Sequence, residues 1–210
     1  MNGFWRPFVL LIFLLGITVG PARTADTPVS ILVLGDSLTS GYGLAAEDAF
    51  PACLETRLHL EGYPVRVINA GVSGDTTAGG LARLDWALTE NPRIVIVELG
   101  ANDGLRAINP RVTRRNLDAI VDRIRDRGVT VLLTGMRAPP NLGPNYGQAF
   151  NSLFPAIASR HGVAFYPFFL DGVAAKPELN QPDGLHPNPR GVATIVDHIV
   201  PYVVRLLLDL

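Results

Sequence analysis

Five short apolar runs punctuate this chain at intervals too wide for hairpins: Ile31 to Leu34, Val65 to Ile68, Ile94 to Leu99, Val129 to Thr134, and Val163 to Tyr166. The runs are largely apolar, and many of their residues are Val or Ile. A strand built from such a run is covered on both faces, as in a buried parallel sheet. Between the runs lie stretches of helical periodicity, about Asp48 to Glu61, Thr76 to Thr89, Pro110 to Arg127 and Tyr146 to His161, and a last one spans Pro189 to Leu208. Leu81, Leu84 and Leu88 share a face of the second. Leu117, Ile120, Val121 and Ile124 share a face of the third, and Gly128 follows as a stop signal. Strict alternation of strand and helix predicts an α/β fold with right-handed crossovers: a three-layer α/β/α sandwich around a five-stranded parallel sheet. With 210 residues, 48% of them hydrophobic and 18% charged, the chain suits one domain with an ample core.

Composition narrows the partners. A net charge of -1 and the lack of any Lys or Arg run give no electrostatic reason to expect nucleic acid or an anionic membrane surface. The single cysteine, Cys53, cannot form an intramolecular disulfide and reads as a small buried residue on a helix. No His-x-x-x-His, cysteine cluster or Asp-rich loop appears, so neither metal nor cofactor is expected. At the N-terminus, Arg6 precedes the uncharged run Phe8 to Gly20, short for a bilayer span but right for the core of a signal peptide. Residues 1–25 are therefore expected to direct export to the periplasm or beyond, or to act as an anchor if uncleaved. Residues 26–210 are expected to form the single domain.

Four blocks each follow an apolar run: Gly35-Asp36-Ser37-Leu38, Gly71-Val72-Ser73-Gly74-Asp75, Gly100-Ala101-Asn102-Asp103 and Asp183-Gly184-Leu185-His186. In an open parallel sheet, ligands bind beyond the carboxyl ends of the strands. The predicted topology therefore gathers these scattered blocks on one rim. Ser37, where a strand breaks into a Gly-rich turn, is a candidate nucleophile. Asp183 and His186 stand three apart, a spacing that lets Asp183 accept from His186 Nδ1 while Nε2 faces Ser37. His59, His161 and His198 fall inside or at the ends of predicted helices and read as structural. Asp36, Asp75 and Asp103 read as loop hydrogen-bonders.

In order and spacing the blocks resemble the SGNH (GDSL) hydrolase family, most closely its bacterial lysophospholipase L1 / thioesterase I / arylesterase branch. The resemblance extends over almost all of the chain after its leader, including Val97-Glu98-Leu99-Gly100-Ala101-Asn102-Asp103-Gly104-Leu105-Arg106. It implies a flavodoxin-like SGNH hydrolase fold and a serine esterase with a Ser37-His186-Asp183 triad. It also implies an oxyanion hole made by the Ser37 and Gly74 N–H groups and the Asn102 side-chain amide. The segment Met136 to Gly147 looks like the mobile substrate loop of that branch, which would lay Leu142 and Tyr146 along an acyl chain. The expected substrate is a small-molecule ester with an apolar acyl or aryl group, thioesters and lysophospholipids included. Contact with lipid fits that expectation, and no obligate protein partner is implied.

Three readings compete. A carbohydrate O-acetylesterase of the same fold would need a polar, shallow acyl site. A noncatalytic lipid- or glycan-binding module would have no need to keep Ser37, Asp183 and His186 together. A Rossmann-type nucleotide binder fails because Gly35, Gly41 and Gly43 lack the Gly-x-Gly-x-x-Gly spacing.

Overall fold

The five apolar runs do form strands, and their β-branched side chains leave little to solvent: Ile31 to Leu34 and Ile94 to Val97 are fully buried. In the computed structural model, which describes residues 1–3 and 28–210, the strands are Val29–Gly35 (β1), Val65–Gly71 (β2), Ile94–Glu98 (β3), Thr130–Thr134 (β4) and Ala164–Tyr166 (β5). They lie in the order β2-β1-β3-β4-β5, and every neighbouring pair is parallel. The chain leaves β1 for β2 on one side and then crosses to β3 on the other. That reversal opens a crevice beyond the carboxyl ends of β1 and β3, where doubly wound sheets hold their ligands.

Helices Phe50–Leu60 (α2) and Pro189–Leu208 (α8) pack together on one face of the sheet. Thr77–Ala87 (α3), Pro110–Asp126 (α5) and Leu153–His161 (α7) pack in series on the other. α8 is long and apolar enough to cross a membrane, but Val192, Ile195, Val196, Ile199, Val200 and Val203 along it are buried in the core. Its apolar stripe belongs to this fold.

Three local features depart from the periodicity. One-turn helices Ser37–Ser40 (α1) and Ala101–Leu105 (α4) follow β1 and β3 directly, too short to leave a periodic signal. The helix expected over Tyr146 to His161 is two helices, Gly143–Asn151 (α6) and α7, separated at Ser152. α6 also takes up the second half of the Met136 to Gly147 segment expected to be loop. Cys53 is half-buried on α2 rather than buried, with Sγ directed at the Glu47 carbonyl, 3.4 Å away. The apolar leader and its cleavage region lie outside the described residues.

Candidate active site

β1 ends at Gly35 because nothing larger fits: a Cβ there would meet Thr39 Oγ1 at 2.0 Å and Glu98 Oε2 at 2.7 Å. The chain then folds straight into α1. Asp36 caps this helix by accepting the Leu38 N–H at 3.0 Å. Ser37 thereby occupies the first helical position, at the rim beyond the carboxyl end of β1.

The loop before α8 brings His186 to it. His186 Nε2 lies 2.9 Å from Ser37 Oγ, and Nδ1 lies 2.6 Å from Asp183 Oδ2. Asp183 Oδ1 also accepts the Leu185 and His186 N–H groups, at 2.9 and 3.0 Å. The loop is fastened at its neck, where the Gln181 N–H donates to the His186 carbonyl at 2.7 Å. Gln181 Nε2 donates to the carbonyls of Tyr42 and Pro187 at 2.7 and 3.0 Å, which ties the loop to the segment after α1. The His186 N–H, then the imidazole, then the Leu185 N–H hold the Asp183 carboxyl down at about 2. An ionised Asp183 needs a proton on Nδ1, which leaves the Nε2 lone pair facing the serine hydroxyl.

Opposite this pair stand the expected oxyanion donors. Gly74 has φ +84, a left-handed conformation that suits glycine. Among the described residues, neither the Ser37 nor the Gly74 N–H donates a hydrogen bond to the protein, so both remain free for a ligand. Asn102, on α4, donates one Nδ2 hydrogen to Asp36 Oδ2 at 3.1 Å, which fixes the amide and leaves its second hydrogen. Burial raises the Asp36 carboxyl to about 6, against the opposing pull of the Leu38 N–H and Asn102.

Further side chains brace the blocks against one another. Arg83, from α3, donates Nη2 to the Gly35 carbonyl at 2.8 Å and Nε to Asp75 Oδ2 at 2.6 Å. Arg106 donates Nη2 to the Gly74 carbonyl at 2.8 Å. Buried Asp103 accepts the Thr77 N–H, the Thr77 hydroxyl and the Thr113 hydroxyl at 2.8, 2.6 and 3.0 Å, joining α4 to α3 and α5. The three aspartates that read as loop hydrogen-bonders thus have structural partners. The other histidines lie elsewhere: His59 on the Val65 carbonyl, His161 between Asp118 and Asp122, and His198 near Asp171.

Leu142 and Tyr146 are placed differently from the rest. Leu142 is half-buried at the end of a 3-10 turn. Tyr146 sits on α6, its hydroxyl donating to the Ile108 carbonyl at 2.8 Å and its ring stacked on Phe150 at 5.7 Å. It fastens α6 to the segment after α4. Exposed apolar side chains instead lie in the strand-end segments themselves. Tyr42, Val72, Leu105 and Leu185 are 54, 45, 52 and 52% exposed, and the Tyr42 ring lies 4.7 Å from that of His186. Sequence reasoning passed over these four, as it passed over Arg83, Arg106 and Gln181. For Leu185 the signal was an apolar residue inside a polar loop, between Asp183 and His186.

Comparison with known proteins follows the same blocks. The family model described as the GDSL-like Lipase/Acylhydrolase family matches residues 33–193. The chain is 42% identical over 179 residues to Esterase TesA of Pseudomonas aeruginosa, covering 85% of this chain and 89% of that one. It is 40% identical over 188 residues to Thioesterase 1/protease 1/lysophospholipase L1 of Escherichia coli, covering 89% and 87%. Among solved structures, TesA superposes with a TM-score of 0.81 at 42% identity over 84% of this chain and 99% of that one. The psychrotrophic esterase EstA from Pseudoalteromonas gives 0.80 at 36% identity over 85% and 98%.

Proposed function

Because this chain belongs to the GDSL-like lipase/acylhydrolase family, we propose that it hydrolyses carboxylic esters through an acyl intermediate on Ser37. Its relatives carry the names esterase, arylesterase and thioesterase/lysophospholipase, and the chain is an ester hydrolase acting on small molecules. The observation that carries the assignment of roles is the continuous contact from Asp183 through His186 to Ser37, 2.6 and 2.9 Å long.

The steps follow from these contacts. His186 Nε2 takes the proton of Ser37 Oγ as Oγ bonds to the acyl carbon. Negative charge then forms on the former carbonyl oxygen, where the Ser37 and Gly74 N–H groups and Asn102 Nδ2 donate to it. Each such donor contributes about 10²- to 10³-fold in rate. The tetrahedral species collapses when the bond from carbon to the leaving oxygen or sulfur breaks, and that atom receives the proton from His186. In the second half His186 deprotonates water, which attacks the acyl-Ser37 carbon; the carbon–Oγ bond then breaks, releasing the carboxylic acid, as the proton passes from His186 to Ser37 Oγ. Asp183 stays ionised and stabilises the imidazolium formed in each half.

Tyr42, Val72, Leu105 and Leu185 support an apolar acyl or aryl group on the substrate. Leu142 and Tyr146 serve as further candidates for the acyl side, Tyr146 through its ring rather than its hydroxyl. The leader Phe8 to Gly20 supports export to the periplasm or the medium. A p-nitrophenyl ester series from acetate to palmitate, run beside Ser37→Ala, tests the reading. Activity peaking at medium or long chains and lost in the variant is expected. A peak at acetate alone favours an O-acetylesterase, and no turnover at any length leaves a binding module.

A further inference from the structure

Glu98 is the last residue of β3 and is fully buried. It sits in an otherwise apolar run, in register with Gly35 on β1. Its Oε2 accepts the Thr39 hydroxyl at 2.8 Å and the Asp36 N–H at 3.3 Å, while its Oε1 has no hydrogen-bond partner. Asp36, the N-cap of α1, and Thr39, within it, lie on either side of Ser37. Four residues further along, the same β3–α4 segment carries Asn102, whose amide is held by the side chain of Asp36. The contacts are therefore reciprocal: the end of β3 grips the nucleophile turn through Glu98, and the turn grips Asn102 through Asp36.

We propose that Glu98 is a positioning residue for acyl transfer, which holds the Ser37 turn and the Asn102 donor in register through this latch. The proposal rests on Ser37 being the nucleophile. A purely apolar residue would fill the same space, so packing alone does not account for a carboxyl with an orphaned oxygen in a core. What it supplies is an acceptor that reaches two atoms on either side of Ser37. Among the described residues, no cation pairs with Glu98. Arg83 is spent on Asp75 and the Gly35 carbonyl, and the charged group facing Glu98 is Asp36, itself flanked by Asp75 and His186. Burial first and Asp36 second hold the Glu98 carboxyl well above its ordinary value. Its part is to accept at Oε2, which the side-chain oxygen of glutamine can do as well.

The test compares Glu98→Gln, Glu98→Leu and Thr39→Val with the unsubstituted enzyme on p-nitrophenyl butyrate. Rates are taken per site titrated with an ester phosphonate that labels Ser37. Misplacement on the scale of 1 Å costs about 10²-fold. Glu98→Leu, which keeps the packing, is expected to lower kcat by about 30- to 100-fold with KM changed less than about 3-fold. Glu98→Gln is expected to stay within about 3-fold of the starting kcat, and Thr39→Val to fall between the two. A Glu98→Leu enzyme with unchanged kcat overturns the proposal, as does a Glu98→Gln enzyme as slow as Glu98→Leu. If Glu98→Leu does not fold, Thr39→Val decides, since an unchanged kcat there removes the latch. Failure of the phosphonate to label Ser37 in the unsubstituted enzyme would instead strike at the nucleophile assignment.

Discussion

Asp183 shows how a short loop sets the state of two groups of the proposed triad at once. Its carboxyl accepts two backbone N–H groups and the imidazole of His186, and these hold it at about 2, below its ordinary value of 3.8. A lowered folded value means the contribution to stability is complete above the unfolded value and is lost as pH falls through the folded one. The difference in thermal midpoint between the unsubstituted chain and Asp183→Asn is therefore expected to be constant from about pH 5 to 8 and to shrink as pH drops towards 2. In activity, Asp183→Asn is expected to lose about 10³- to 10⁴-fold in kcat, because Nδ1 no longer finds an ionised acceptor and the tautomer at Nε2 is no longer fixed. Thermal melts across that range and steady-state rates on one ester check both; a Ser37–His186 pair that works unaided would leave kcat unchanged. At this scale the sequence was legible where chemistry demands a rare side chain in a rare place. Ser37, Asp183 and His186 stood in polar loops after apolar runs, and their side chains meet. Glu98 was passed over because a lone acid at the end of an apolar run has no motif of its own; what marks it is the register with Gly35, which only pairing reveals.

The elements matter here as holders of turns. β2 ends at Gly71, opposite Gly35, and a Cβ on Gly71 would meet Ser40 N at 2.3 Å, Ser40 Cα at 2.8 Å and Asp36 O at 2.9 Å. All three are backbone atoms of the turn and helix that carry Ser37, so none can swing aside as a side chain can. Gly71→Ala is expected to push α1 off the end of β2, costing about 1 to 3 kcal/mol of stability by overpacking and lowering kcat more than it raises KM. Gly147→Ala, inside α6 and with nothing within 4 Å of the added methyl, is the control that should leave kcat unchanged and raise stability by about 0.5 to 1 kcal/mol. Denaturant midpoints and kcat for the pair check this, and equal behaviour of the two variants would mean that β2 does not hold the turn. Helix ends were less legible than helix centres. α5 and α8 begin at Pro110 and Pro189 as expected, each behind an Asn cap, whereas α6 and α7 share one periodic stretch and separate at Ser152, three residues before Pro155, which sits in the first turn of α7 and has no N–H to carry α6 through.

For the molecule as a whole, a single topological reversal beside β1 gathers residues up to 149 positions apart. The α/β/α class was legible because both-face burial of a parallel strand forces continuous apolar runs. The order of the strands was not read, although β2 carries Arg66 and Asn69 exposed, as suits an edge strand, whereas Ile94 to Val97 of β3 is apolar throughout and fully buried, as suits an interior one. The blocks still pointed to one rim, because the carboxyl ends of parallel strands share an edge in any order. The account stands on covalent chemistry at Ser37, and rapid acid quenching during turnover of a p-nitrophenyl ester, followed by peptide mass mapping, tests it directly. The prediction is an acyl group on the peptide containing Ser37, formed with a burst of p-nitrophenol and absent from Ser37→Ala. Turnover with no acylated peptide, or with the acyl group on another residue such as Cys53, would contradict it.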